Sequence, residues 1–142
     1  MRHLISLVIK YTALLLMGGA VYCAFELLYR GRTHWTMCVV GGLCFIFCGL
    51  INELFSWDTP LWKQMLACAG GITVIEFISG VIINIICKLN VWDYSNMPLN
   101  ILGQVCLPFT ALWFILSLIA IALDDWLRYF LFNEERPHYR LL

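Results

Sequence analysis

Four long apolar runs divide this sequence of 142 residues, and they limit its possible folds more than any other feature. The runs cover residues 4–29, 35–55, 61–87 and 100–123, and each reaches the roughly 20 residues that a helix needs to cross a bilayer. Backbone polar groups inside a membrane must find partners within the protein, which favours helices. The runs therefore predict an all-α integral membrane protein, a bundle of four transmembrane helices.

The composition leaves no room for a separate soluble domain. The sequence is 62% apolar and 13% charged, and its mean hydropathy is +0.84, whereas soluble domains are about half apolar and a quarter charged. We therefore expect residues 1–142 to form one transmembrane domain. Residues 124–142 would be its tail, beginning with an interfacial segment from Trp126 to Phe132. The basic residues sit at the ends of the runs, so we expect no nucleic-acid partner.

The distribution of basic residues predicts how the chain is oriented. Four spans place both termini and the second connection on one side of the membrane. That side carries six basic residues and the other side carries three. The six are Arg2, Lys10, Lys63, Arg128, Arg136 and Arg140, and the three are Arg30, Arg32 and Lys88. Basic residues concentrate on the cytoplasmic side. We therefore expect a multi-pass protein of the cell membrane with both termini in the cytoplasm.

Polar residues inside the runs align on one face of each predicted helix, since helix neighbours recur every three or four residues. The third run has Glu76 at its middle, with Asn84 two turns later, and the first run has Glu26 four residues before Arg30. A carboxylate at mid-membrane costs about 2.5 to 3.5 kcal/mol, so Glu76 requires protonation, a partner or water. It is either a functional acid or a structural hydrogen-bonding group, and Glu26 is either a site residue or half of a local ion pair.

These polar faces predict a pocket centred on Glu76 in the half of the membrane away from the cytoplasm. Its expected binding residues are Glu76, Glu26, Asn84, Asn100, Gln104, Trp92 and Tyr94. Trp92 and Tyr94 belong to the long connection from Lys88 to Leu99, and they form either a lid over the pocket or a plain interfacial anchor. Pro108 is expected to kink the fourth helix, because proline removes one backbone hydrogen bond.

The sequence contains no pattern typical of a metal centre or an enzyme. Seven cysteines lie within the apolar runs without the paired spacing of a zinc site, and we interpret them as small packing residues. Cys44 and Cys48 share a helix face, but no histidine or carboxylate completes a ligand set at that depth. All three histidines lie at or outside the ends of the runs. We therefore expect no cofactor, no metal and no catalytic residue.

Several segments resemble a known family. They are Ser56-Trp57-Asp58, Val91-Trp92-Asp93-Tyr94-Ser95-Asn96, Asn100-Ile101-Leu102-Gly103-Gln104 and Asp124-Asp125-Trp126-Leu127-Arg128-Tyr129. From about Gly18 onward the chain resembles the CmpB-type putative ABC-transporter permease family of bacteria, which also has animal members known as transmembrane proteins. The resemblance implies a permease role. The sequence lacks the phosphate-binding loop G-x-x-x-x-G-K-[ST], so ATP hydrolysis would require a separate ATPase chain.

Two functions remain open from the sequence. The first is a transport protein, or a subunit of one, that uses the pocket around Glu76 for a proton, a cation or a small polar solute. Four helices enclose little space, so a homo-oligomer or another membrane subunit is implied, with Gly41, Gly42 and Gly49 as a close-approach surface. The second is an accessory protein that binds another membrane protein through residues 126–142. The substrate is not specified by the sequence.

Overall fold

Four helices make up the structure, a computed structural model that describes residues 1–142 except the side chains of Arg2 and Asn52. In chain order they are α1 (Arg2–Arg30), α2 (Trp35–Leu54), α3 (Leu61–Gly80, continued as a π-helix over Val81–Ile86) and α4 (Leu107–Phe132). Within the described chain, α1, α3 with its π-helical end, and α4 are long and apolar enough to cross a membrane. The apolar part of α2, Trp35–Ile51, is shorter. The prediction of an all-helical structure is therefore confirmed, with three helices that are able to cross a membrane.

The second helix is central to the bundle. α2 packs against each of the other three helices, α3 also packs against α4, and α1 meets α4 at few positions. A cleft consequently separates α1 from α4 along one side of the molecule. The bundle has two ends, named here for use below. The loop end carries the turn 31–34 and the loop 87–106, and the tail end carries the chain start, the turn 55–60 and the tail 133–142.

Glycines allow α2 to approach its neighbours closely. A Cβ added at Gly41 would lie 2.5 Å from the side chain of Tyr22 in α1, and one at Gly49 would lie 2.1 Å from a carboxylate oxygen of Asp124 in α4. A Cβ at Gly42 would lie 2.4 Å from a backbone oxygen of α1. The prediction that these three glycines face another subunit is therefore wrong. Packing within the chain covers them.

The fourth helix begins later than the sequence predicted. Residues 100–106 belong to the loop, and α4 starts at Leu107 instead of Asn100. Asn100 has the side-chain bonds of a turn residue, since its Nδ2 donates to the carbonyl of Met97 at 2.9 Å and its Oδ1 accepts from the amide of Gly103 at 3.1 Å. Leu102 and Gly103 have φ values of 52° and 67°, which no α-helix accommodates.

Two further details of α4 differ from prediction. Pro108 lies in the first turn, where a backbone N–H has no helical partner to lose, so it begins the helix instead of kinking it. At the other end, α4 passes through Asp124 and Asp125 and stops at Asn133, which has a left-handed φ of 55°. The helix therefore continues past residue 123, where the predicted span ends, and Asp124 and Asp125 accept hydrogen bonds from Arg128 of the same helix and Tyr139 of the tail.

Candidate functional site

Glu76 of α3 is a buried acid, with 3% of its surface exposed. Its Oε2 accepts a 2.9 Å hydrogen bond from the indole Nε1 of Trp113 in α4. Its Oε1 accepts a 3.0 Å bond from the hydroxyl of Tyr94 in the loop 87–106. Both carboxyl oxygens are therefore bonded, and the two donors come from separate parts of the chain.

The donors to Glu76 are both neutral. Among the described side chains, no lysine, arginine or histidine forms an ion pair with Glu76. A mid-membrane carboxylate costs about 2.5 to 3.5 kcal/mol, and a hydrogen bond to a charged group returns about 1.5 to 3 kcal/mol. The free energy of two such hydrogen bonds is of the same order as the cost of placing a carboxylate at mid-membrane. Exchange of a proton is therefore within the chemistry that Glu76 can perform.

Aromatic rings shield this carboxyl group from its surroundings. The ring of Tyr94 stacks on Phe109 with centroids 4.5 Å apart and an angle of 16° between the planes. The ring of Trp113 lies 6.0 Å from that of Tyr22 in α1. The two donors to Glu76 are thus held by ring contacts in addition to their hydrogen bonds, which fixes the direction of both N–H and O–H groups.

The loop that carries Tyr94 is fastened to the end of α3. Asn84 donates to Oε1 of Gln104 at 2.8 Å and accepts from the amide of Val91 at 2.7 Å. The indole of Trp92 donates to the carbonyl of Gln104 at 2.9 Å, and Trp92 is only 4% exposed. The loop therefore folds back over the inward faces of the helices, which is the arrangement that a lid requires. Asn84 and Trp92 both bond to Gln104, and these bonds hold the loop that carries Tyr94.

Gly80 and the π-helix make this fastening possible. A Cβ at Gly80 would lie 2.6 Å from Oε1 of Gln104 and 3.1 Å from the ring of Trp92, so only glycine leaves space for both. The π-helix over Val81–Ile86 widens the last turns of α3, and Asn84 within it is buried. Such π-helical turns occur frequently at functional sites.

Two residues predicted for the pocket lie away from Glu76. Asn100 belongs to the turn described above and makes its bonds within the loop. Glu26 forms an ion pair with Arg30 one turn later and accepts a 2.5 Å bond from the hydroxyl of Thr33. The local ion pair that the sequence allowed for Glu26 is therefore present.

A cleft connects Glu26 to the donors of Glu76. It contains a cavity of about 120 Å³ between α1, α4 and the loop, lined by Glu26, Arg30, Tyr94, Trp113 and mostly apolar neighbours. A second cavity of about 90 Å³ extends toward the middle of the bundle. Both are bounded by Tyr22, Phe25, Trp113 and Leu116. Glu76 itself lines neither cavity. Its donors Tyr94 and Trp113 lie between it and the cleft that runs along α1 and α4.

Comparison with known families identifies the class of this membrane protein. The model of the family described as putative ABC-transporter type IV matches residues 8–135, which is most of the chain. The chain belongs to this ABC-transporter type IV family. The resemblance recognised in the sequence is therefore confirmed. A comparison with curated proteins found no match, and a comparison with solved structures found none either.

Family membership and the apolar helices together indicate a membrane protein related to transport. The matched range of the ABC-transporter type IV family includes Glu76 with both of its donors and the residues that fasten the loop. A component of an ABC transporter is a transport protein and not a typical enzyme, and such components work with other subunits.

A charged cluster at the tail end of this ABC-transporter family member was not predicted. Arg128 is 4% exposed and binds Asp124 at 2.5 Å and Glu53 at 3.1 Å. Arg128 also lies 3.8 Å from Glu134 of the tail, which forms an ion pair with Lys10 of α1. The cluster therefore joins α1, α2, α4 and the tail. The four-residue spacing of Asp124 and Arg128 is typical of an ion pair on one helix, and it could have indicated part of this cluster from the sequence.

The tail itself packs onto the bundle beside this cluster. The hydroxyl of Tyr139 donates to Asp125 at 2.8 Å, and the ring of Trp57 stacks on His138 with centroids 4.7 Å apart. The carbonyl of Arg140 accepts from the amide of Leu61, at the start of α3, at 2.7 Å. Burial and the bond to Asp125 raise the pKa of Tyr139 above its ordinary value. The tail is therefore part of the folded structure.

No metal centre forms in the part of the chain whose side chains are described. There, no three His, Cys, Asp or Glu side chains come close enough to hold an ion. Cys44 and Cys48, which share a helix face, are buried in the apolar core with Cys68 and Ile72. Their surroundings are those of packing residues.

Proposed function

We propose that this chain is a membrane-spanning subunit of a transporter and that Glu76 exchanges a proton during transport beside the α1–α4 cleft. The observation that carries the proposal is the bonding of Glu76. A buried carboxyl group held by two neutral donors, one of them on a folded-back loop, loses a bond whenever the loop moves. Movement of Tyr94 would therefore change the proton affinity of Glu76 and couple the loop to protonation.

The proposal includes a four-span topology with both termini in the cytoplasm. α2 has 20 residues, a length of about 30 Å, which equals the thickness of the hydrocarbon core. It lies antiparallel to α1, which supports a second crossing in the return direction. The tail end carries six of the nine basic residues, which supports a cytoplasmic location for that end.

A separate ATPase chain is the partner that this function implies. The sequence has no phosphate-binding loop of its own, and the family is that of an ABC transporter. The docking surface would be at the tail end, where the turn 55–60 and the tail 133–142 lie side by side through the contact between Trp57 and His138. The loop end would then face the other side of the membrane. A second membrane subunit or a second copy would complete the pathway.

One observation favours an accessory role as the alternative. Both oxygens of Glu76 are bonded within the chain, and an acid satisfied in this way also stabilises a bundle. In that case the chain would bind and stabilise another membrane protein and would move no solute. The two functions differ in whether flux depends on Glu76.

A flux assay tests the proposal directly. The chain would be purified with its associated subunits and reconstituted in liposomes that contain a pH-sensitive dye, with ATP supplied and a pH gradient imposed. We expect proton movement above that of empty liposomes, and we expect Glu76→Gln to reduce it at least tenfold, as loss of an essential proton-transfer group does. Glu26→Gln is the matched control, because Glu26 is the acid that lines the cleft directly.

Each contrary result has a distinct meaning. Flux that survives in Glu76→Gln would show that Glu76 is structural. Flux no higher than in empty liposomes, together with unfolding of the associated membrane protein when the chain is removed, would support the accessory role. Equal losses of proton flux in Glu26→Gln and Glu76→Gln would show that transport depends on the charge of the whole cleft and not on Glu76 in particular.

A further inference from the structure

We propose that the α1–α4 cleft binds an anionic phospholipid, with one acyl chain between the helices and the phosphate headgroup beside Arg30 and Arg32 at the loop end. This site is a lipid-binding site whether or not the protein transports a solute, so it does not depend on the role of Glu76. Three observations support it: the shape of the cleft, the charge at its end, and its length.

The cleft is narrow, apolar and open along its side. The cavities of about 90 and 120 Å³ form a slot that is too small for another helix, whose diameter is about 10 Å. The side chains at its opening are large and apolar and remain substantially exposed, with Phe25 at 47%, Leu112 at 40% and Ile119 at 49%. In a membrane these side chains face hydrocarbon. A flexible acyl chain fits such a slot, whereas a folded segment does not.

The charge at the loop end of the cleft is complementary to a phosphate. Arg30 lines the larger cavity of the cleft and also a separate pocket of about 220 Å³ that contains Arg32, Thr33 and His34. Arg30 is paired with Glu26, yet its Nε is buried and has no partner in the described structure. Arg32 is exposed and forms no ion pair with any described side chain. An anion in this pocket would lie beside the guanidinium group of Arg30 and the free positive charge of Arg32.

The length of the slot matches one leaflet of a bilayer. Its wall on α1 extends from Gly18 to Arg30, which is about 18 Å at 1.5 Å per residue. The hydrocarbon core is about 30 Å thick, so a single leaflet contributes about 15 Å. Arg30 is the last residue of α1 and lies where the headgroup region would be. A lipid in the leaflet at the loop end would therefore place its headgroup beside Arg30 and Arg32 and, at the same time, its acyl chain between α1 and α4.

Native mass spectrometry of the full chain tests this site. The protein would be titrated in detergent with phosphatidylglycerol and, separately, with phosphatidylcholine of the same acyl chains. We expect phosphatidylglycerol to bind on the order of tenfold more tightly, the ratio expected from one or two basic residues near a lipid headgroup. Arg32→Gln should bring the ratio close to one. Lys88→Gln, which removes a loop-end cation that does not line the pocket, should leave the ratio unchanged.

A second variant tests the acyl-chain part of the site. Ile119→Trp places a bulky indole ring at the exposed edge of the slot and should weaken the binding of both lipids equally. Leu131→Trp, at an exposed position of α4 that does not line the slot, should weaken the binding of neither. Equal binding of the two lipids by the unaltered chain, or a preference that Arg32→Gln leaves intact, would overturn the proposal. A dimer that replaces the lipid adducts would also overturn it, since the cleft would then be an interface between copies. Arg32 and Ile119 are exposed, so both variants should fold, and circular dichroism checks this.

Discussion

The indole Nε1 of Trp113 lies 2.9 Å from Oε2 of Glu76, and this hydrogen bond joins the interior of α3 to α4. Together with the 3.0 Å bond from Tyr94, it leaves the carboxyl group with a donor on each oxygen. The arrangement makes the carboxyl group, the phenol and the indole dependent on one another. Removal of any one of them leaves a buried polar group without its partner.

Substitution of Glu76 should show this dependence in stability. Glu76→Gln keeps the shape but turns an amide N–H₂ toward one of the two donors, so we expect a loss of about 1 to 2 kcal/mol in the free energy of unfolding. Glu76→Leu leaves both donors unpaired, and the loss should be about 2 to 5 kcal/mol. Thermal unfolding in detergent measures both. Equal stability of the two variants would mean that the bonds of Trp113 and Tyr94 contribute little.

Tyr94→Phe should loosen the loop without displacing its ring. The variant loses the bond to Glu76 but keeps the stacking on Phe109, so we expect a loss of about 1 kcal/mol and faster hydrogen exchange in residues 91–96. Tyr29→Phe, which changes a tyrosine that is 77% exposed, is the matched control and should have no effect. Unchanged exchange in Tyr94→Phe would indicate that ring contacts alone hold the loop.

Asn84→Ala should release the loop from α3. The substitution leaves the amide of Val91 and the Oε1 of Gln104 without their partner, and we expect a loss of about 2 to 4 kcal/mol. The exchange rate of the Val91 amide reports this bond directly. Asn96→Ala changes an exposed asparagine of the same loop and should be close to neutral. If both variants lost the same stability, Asn84 would have no special role in fastening the loop.

Two glycine substitutions test helix packing at the tail end. A Cβ at position 49 would lie 2.1 Å from Asp124, which is fully buried, so Gly49→Ala should destabilise the protein by about 1 to 3 kcal/mol. A Cβ at position 70 meets nothing within 4 Å, so Gly70→Ala should stabilise α3 by about 0.5 to 1 kcal/mol. Denaturation of the two variants side by side gives the comparison. A harmless Gly49→Ala would contradict the close contact of α2 with α4.

The orientation is testable by cysteine labelling. In a background without the seven native cysteines, His138→Cys at the tail end should react with a membrane-impermeant thiol reagent only after the cells are permeabilised. Ser95→Cys in the loop 87–106 should react in intact cells. Labelling of position 138 from outside would reverse the predicted orientation and with it the leaflet that supplies the lipid.

The helices and their inward faces could be predicted from the sequence because hydropathy and helical spacing are local properties. Three helix starts and the inward placement of Glu76 follow from them. The loop 87–106 could not be predicted in the same way. The segment from Ile101 to Val105 has three large apolar residues and reads as part of a helix. The side-chain bonds of Asn100 and the backbone of Leu102 form a turn there instead.

Long-range pairing accounts for the remaining differences. Arg128 and Glu53 are 75 residues apart, and nothing near either residue in the sequence indicates that they bond. For this reason the position of Glu53 in the charged cluster could not be predicted. The glycines of α2 present the same difficulty, because a small residue permits close contact with any helix and does not indicate which one. Tertiary structure decides these contacts.

The separation between Glu76 and its donors also bears on the synthesis of the protein. Tyr94 follows Glu76 by 18 residues and Trp113 follows it by 37, so α3 leaves the ribosome before either donor. Insertion of α3 would then expose an unsatisfied acid to the membrane, at a cost of about 2.5 to 3.5 kcal/mol. The apolar residues of α3 offset this cost, so α3 can enter the membrane with Glu76 neutral or hydrated before either donor is made. The hydrogen bond between Trp113 and Glu76 then forms only when α4 joins the bundle, so the polar interior of the protein is completed last.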